Sequence, residues 1–89
     1  MLIPVYTKRF KKDIDLILKR GKNKEKIKAV AKKLIEEGEL EDKHRVHKLS
    51  GDYTGRMECH IEPDWLLIYR VKGEEIIFER TGSHSDLFA

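Results

Sequence analysis

Histidine, arginine and aspartate gather in the second half of this 89-residue sequence as His47, His60, Asp64, Arg80 and His84. These residue types suit the breaking of an RNA phosphodiester bond without a metal. That reaction takes a base to remove the 2′-hydroxyl proton, an acid to protonate the departing 5′-oxygen, and a cation to steady the crowded phosphate. Imidazole serves either proton-transfer role, because its unperturbed pKa of about 6.5 leaves both forms populated near neutrality. Arginine serves the third through its rigid fork of donors. Trp65 or Phe88 offers a ring on which an unpaired base could stack. Each residue also has a plainer use. A lone surface histidine often does nothing, and Arg80 can pair across strands with Glu58 or Glu62. Trp65 can simply open a core strand, and Phe88 can simply pin the tail.

Other chemistries find less support. The six glycines never form a phosphate-cradling loop. His44 and His47, with His60 and His84, bring to mind zinc, but no pair has the i, i+4 spacing that puts two ligands on one helix face; no metal and no cofactor are expected. Cys59 alternates with Met57 and Ile61, which reads as a buried thiol rather than a nucleophile.

The elements that must position these groups follow from periodicity. Leu2–Tyr6 is a short apolar segment, and Pro4 within it argues for an edge strand. Thr7 can cap a helix over residues 8–20, whose stripe is Phe10, Ile14, Ile17 and Leu18, with Gly21 at the stop. Asn23 can cap a second helix with the stripe Ile27, Val30, Ala31, Leu34 and Ile35, ended by Gly38. So short a connection predicts a helical hairpin. Residues 39–45 read as a loop, Val46–Leu49 as a short strand and Ser50–Asp52 as a turn. Residues 56–62 alternate strictly, with Met57, Cys59 and Ile61 on one face and Arg56, Glu58, His60 and Glu62 on the other. Trp65–Val71 is apolar on both faces apart from Arg70, as a central strand requires. A turn at Lys72-Gly73-Glu74 leads to a returning strand over Ile76–Thr81, and a tail runs over residues 82–89. The expected fold is one α+β domain over residues 1–89, in the order β-α-α-β-β-β, its helical hairpin packed on one face of a mostly antiparallel sheet.

Charge divides this chain unevenly. Residues 1–36 carry a net +8 and residues 37–89 a net −5, within an overall +3. A basic half of this kind fits a polyanionic partner such as RNA, and equally a solvated pair of lysine-rich helix faces. The longest apolar run, Trp65–Tyr69, is far shorter than the roughly 20 residues that cross a bilayer. The first residues lack the basic lead-in and apolar stretch of a secretory signal. A single cysteine fits a reducing compartment. Together these read as a cytoplasmic protein with no membrane partner.

Two stretches carry a family resemblance. His60-Ile61-Glu62-Pro63-Asp64-Trp65-Leu66-Leu67-Ile68-Tyr69 and Glu79-Arg80-Thr81-Gly82-Ser83-His84-Ser85-Asp86-Leu87-Phe88 resemble the YafQ branch of the RelE superfamily of bacterial toxins. His47, Leu49, Gly51, Tyr53 and Gly55 fit the same pattern upstream. The resemblance implies a RelE-like fold and a type II toxin that enters the ribosomal A site and cuts mRNA there. It implies attack by the 2′-hydroxyl, a cyclic phosphate product and no metal. It implies a cognate antitoxin as partner, with the ribosome, its RNA and the mRNA. His84 then matches the general acid and Arg80 the phosphate-stabilising arginine. His47, His60 and Asp64 match further active-site positions, with the base undecided between His47 and His60, and Trp65 and Phe88 match functional aromatics. Relatives are associated with A-rich codons.

One position departs from the pattern. The family commonly has an arginine where this chain has Met57; Arg56 stands one residue earlier and, by alternation, on the opposite face. If that arginine grips phosphate in relatives, this protein must use another cation. Lys8, Lys11 and Lys12 are the candidates for docking to ribosomal RNA, where phosphate contacts position rather than read sequence. The alternative function is a non-catalytic RNA- or DNA-binding or antitoxin-binding module. A helix-turn-helix reading is opposed by both helices being committed to one sheet face.

Overall fold

Local signals at residues 7–36 account for two helices of equal length. In the computed structural model, which describes Met1–Phe88, β1 (Ile3–Tyr6) leads into α1 (Lys8–Lys19) and α2 (Lys24–Ile35). Ala89, the end of the expected tail, lies outside the described residues. Thr7 caps α1 by accepting from the Phe10 N–H at 3.0 Å, and Asn23 caps α2 by accepting from the Glu25 N–H at 2.9 Å. Gly21 takes the left-handed conformation after α1 (φ 83°). After α2 that role falls to Glu37 (φ 59°), one residue before the expected Gly38. No helix among the described residues is long and apolar enough to cross a membrane.

The second half supplies β2 (His47–Lys48), β3 (Met57–Glu62), β4 (Trp65–Lys72), β5 (Glu75–Gly82) and a short helix α3 (His84–Phe88). The sheet order is β1-β5-β4-β3-β2, antiparallel except where β1 runs parallel to β5. The α+β class and the mostly antiparallel sheet stand as expected, with Pro4 on an edge strand and β4 in the centre; the expected β-α-α-β-β-β order counts four strands, and the two-residue β2 makes the sheet five. The tail is the addition: it is helical, started by a reciprocal cap in which the Ser83 N–H donates to Asp86 at 2.9 Å and the Asp86 N–H to Ser83 at 3.2 Å.

Because β4 is central, its two faces build two cores. Trp65, Leu67 and Tyr69 join Cys59, Ile61, Ile76 and Phe78 beneath Phe10 and Ile17 of α1 and Ile27 and Val30 of α2. Leu66 and Ile68 pack on the other face against Leu87 of α3, with Leu49 and Tyr53 beside them. The stripe of α1 needs one correction. Leu18 is exposed, and Asp13 is buried in its place. β1 pairs only with Glu75–Phe78, so the edge of β5 beyond them is bare. The cap of α1 and a side chain within that helix cover it: the Thr7 hydroxyl donates to Glu79 O at 3.0 Å, and Asp13 accepts from the Thr81 N–H at 3.1 Å. Glu62 also departs from expectation. An irregularity in the β3–β4 ladder between His60 and Glu62 breaks the alternation, and Glu62 reaches Lys22 and Lys26, both at 2.7 Å, on the helical side.

Candidate active site

The face opposite α1 and α2 gathers His47, His60 and His84. His47 is on β2 and His60 on β3, and their rings lie 6.2 Å apart between centroids. His60 and His84 are 5.9 Å apart, and His84 lies 6.4 Å from the ring of Phe88. Residues separated by up to 41 positions in sequence thus form one row (His47 to Phe88).

Hydrogen bonds orient each imidazole. The Nδ1 of His47 donates to Arg45 O at 2.7 Å, and that of His60 to Pro63 O at 3.3 Å. A carbonyl oxygen has no proton to give, so these contacts place a proton on each Nδ1 and turn each Nε2 inward. Between the two Nε2 atoms lies Glu58, 3.3 Å from His47 and 3.4 Å from His60, and only 4% exposed. An ion pair forms on either side whenever that imidazole is protonated. The sequence assigned Glu58 no more than a cross-strand pairing with Arg80; alternation alone put it on the His60 face.

His84 is held differently. Its Nδ1 lies 2.6 Å from Asp64 Oδ1, which also accepts from the His84 backbone N–H at 2.9 Å. These two bonds, the backbone one first, hold the Asp64 carboxyl below its ordinary pKa. With Nδ1 engaged, Nε2 is the atom left to substrate. α3 itself is clamped by Arg20, whose guanidinium makes two bonds to Asp86 at 2.6 and 3.0 Å. That pair and the Ser83 N–H lower the Asp86 pKa well below the carboxylate range.

Arg80 is tied to neither Glu58 nor Glu62. Its Nε donates to Asp13 at 2.7 Å and a second nitrogen at 3.3 Å, so the side chain is fixed at the bare edge of β5. Asp13 was missed because a buried acid within a basic amphipathic helix has no periodic signature. Arg56 also finds an acid: its Nε donates to Glu79 at 2.8 Å, and Arg70 lies 2.8 Å from the other Glu79 oxygen without the alignment of a hydrogen bond. Met57 packs with the core instead.

Trp65 does not belong to this surface. It is 1% exposed and its indole N–H donates to Thr81 at 3.0 Å, so it presents no face to a base. A central strand flanked by two covered faces leaves no room for a stacking platform there. Phe88, by contrast, is 46% exposed, edge-on to Tyr53 at 5.5 Å. Lys8, Lys11 and Lys12 are exposed on α1. Burial and the neighbouring Glu58 push the Cys59 thiol up to about 12, so it remains protonated. Among the described residues no three His, Cys, Asp or Glu side chains converge as metal ligands.

Three helices packed on a five-stranded sheet match the fold of YafQ/RelE-like toxin structures. The chain belongs to the YafQ family of bacterial toxins of type II toxin–antitoxin systems, whose family model matches residues 3–89. The mRNA interferase toxin YafQ of Escherichia coli K12 is 38% identical over 84 residues, covering 93% of this chain and 91% of that protein. A copper-bound mutant toxin from Helicobacter pylori superposes with a TM-score of 0.93 at 39% identity, over 99% of this chain and 100% of the other. The E. coli DinJ–YafQ toxin–antitoxin complex gives a TM-score of 0.91 at 36% identity, over 99% and 98% of the two chains.

Proposed function

We propose that this protein is an mRNA interferase acting on the translating ribosome, and that it cuts by proton transfer among its own side chains. The observation that carries the reading is the row of three imidazoles, each fixed through Nδ1, in a chain whose relative is named an mRNA interferase. One of His47 and His60 takes the proton of the 2′-hydroxyl. The freed oxygen attacks the adjacent phosphorus, and a 2′,3′-cyclic phosphate forms as the bond to the 5′-oxygen breaks. His84 Nε2 supplies the proton to that oxygen, with Asp64 holding the ring. Arg80, held by Asp13, offers its remaining N–H groups to the developing phosphorane charge. Phe88 takes a base against its exposed ring.

Such a cycle needs no metal. Exposed Lys8, Lys11 and Lys12 supply contacts to ribosomal RNA, and a cognate antitoxin of the kind seen with the E. coli relative silences the protein in the cytoplasm. Primer extension on translated mRNA after induction tests the reading. Cleavage confined to translated frames, abolished by co-expressing the antitoxin and insensitive to zinc-selective chelators, is expected. Harmless expression with intact transcripts overturns it in favour of a binding module.

A further inference from the structure

β2 pairs with only the first two residues of β3, leaving the edge of β3 beyond Glu58 without a strand partner. There α2, the turn Asp42–His44 and the far end of β3 enclose a cleft of about 650 Å³, within the size range of ligand sites. Lys26 and Val30 line it from α2, and Lys43, His44, Arg45 and His60 from the other side. The lining carries three cations, Lys26, Lys43 and Arg45, and one acid, Glu62, whose charge is met by Lys22 and Lys26. Lys26 is engaged with Glu62 at 2.7 Å, and Lys43 lies 3.7 Å from Glu41 on the open surface. Arg45 has no ion pair among the described residues, although its backbone is held in the left-handed region (φ 45°), where a side-chain-bearing residue is strained.

The cleft is joined to the histidine row through the backbone. His44 Nδ1 donates to His60 O at 2.6 Å, and Arg45 O accepts from His47 Nδ1 at 2.7 Å. His44 and Arg45 thus stand at the edge of β3, between the cleft on the α2 side and the histidine row on the opposite face. Cations beside the apolar wall at Val30 match a polymer that alternates phosphate with ribose and base, rather than a uniformly acidic peptide.

We infer that this cleft holds the mRNA strand flanking the scissile bond, with Arg45 and Lys43 on its phosphates. The inference rests on the nuclease reading above and names a subsite of it. The probe is a 2′-O-methyl RNA hexamer, which lacks the attacking hydroxyl. Titrated into the wild-type protein, it should shift the amide resonances of His44, Arg45 and His60. Arg45→Gln with Lys43→Gln should raise Kd at least tenfold and flatten the log–log salt slope by roughly 1.4, two single-strand contacts' worth. Lys28→Gln with Lys32→Gln, an equal charge loss on α2 outside the cleft, should change Kd less than twofold, and Arg45→Lys should retain binding. The inference is overturned if both double variants weaken binding alike, if the shifts lie elsewhere, or if a polyglutamate peptide shifts the cleft more strongly. It also fails if the cleft variant loses affinity for ribosomes without mRNA, which would make the cleft a ribosomal RNA contact. The two readings fail separately. Cleft shifts in a protein that leaves translated mRNA intact remove the nuclease reading and leave the cleft as an RNA-binding site only; cleavage untouched by the cleft variant removes the cleft alone.

Discussion

At the scale of single residues, the imidazoles differ in what holds them. His84 is anchored by an exposed carboxylate and a backbone bond, whereas His47 and His60 share the buried Glu58. His84→Gln keeps size and hydrogen bonding but delivers no proton at neutral pH. Single-turnover cleavage on programmed ribosomes should fall about 10²–10⁴-fold while affinity for ribosome and antitoxin holds. A rate within about threefold of the parent would be too small for an acid–base role. Asp13 tests the positioning of Arg80. Asp13→Asn retains an oxygen for the Thr81 N–H but removes the charge opposite the guanidinium. A stability loss of roughly 1–3 kcal/mol is expected in urea titration. The chemical rate should also fall with no change in ribosome affinity; a fall in stability alone would make Asp13 a purely structural residue.

At the scale of elements, α3 is the piece that completes the site. It is one and a half turns long and has little helical stability of its own. Its position comes from Leu87 in the second core, the Ser83–Asp86 cap and the Arg20 clamp. A Cβ at Gly82 would lie 2.8 Å from an Asp86 carboxylate oxygen, and φ is 156° there. Gly82→Ala should therefore displace Asp86 and carry His84 and Phe88 out of line. The measurable result is lost cleavage with amide shifts concentrated in residues 82–88. Acid should do the same reversibly. Asp64 and Asp86 both titrate below their ordinary values when folded. The stability they lend is thus full above about pH 4 and is lost as pH falls through their folded values. Melting temperature should drop between about pH 4 and pH 2, less steeply in Asp86→Asn. Equal slopes for the two proteins would show that the clamp contributes nothing.

For the whole molecule, charge and sheet topology set how the site meets its target. The +8 of residues 1–36 lies largely on α1 and α2, against the face opposite the histidine row. Substituting Lys8, Lys11 and Lys12 by Gln should weaken ribosome association and lower its salt slope by roughly two, because fewer counterions are released. Sedimentation at several salt concentrations measures both. An unchanged slope would leave these lysines as a solvated face.

Patterns with a local cause were readable from the residues themselves. The caps at Thr7 and Asn23, the doubly apolar β4 and the edge position of Pro4 each follow from interactions within a few positions or from strict period. The two motifs running His60–Tyr69 and Glu79–Phe88 carried the family and its candidate residues. What resisted reading depends on contacts between distant segments. The tail over residues 82–89 carried no reading as a helix; the Ser83–Asp86 cap starts one, and Arg20 and the second core hold it. Trp65 could have been surface or core until both faces of β4 were covered. Asp13 is buried because β1 stops at Tyr6 and leaves β5 a bare edge, and Glu58 meets two histidines because β2 and β3 pair in one register. Sequence determines what a side chain can do and what its own strand or helix is. Which groups face one another is decided where edges end and strands are paired, since a carboxylate acquires its role from whichever donor the topology brings within hydrogen-bond reach.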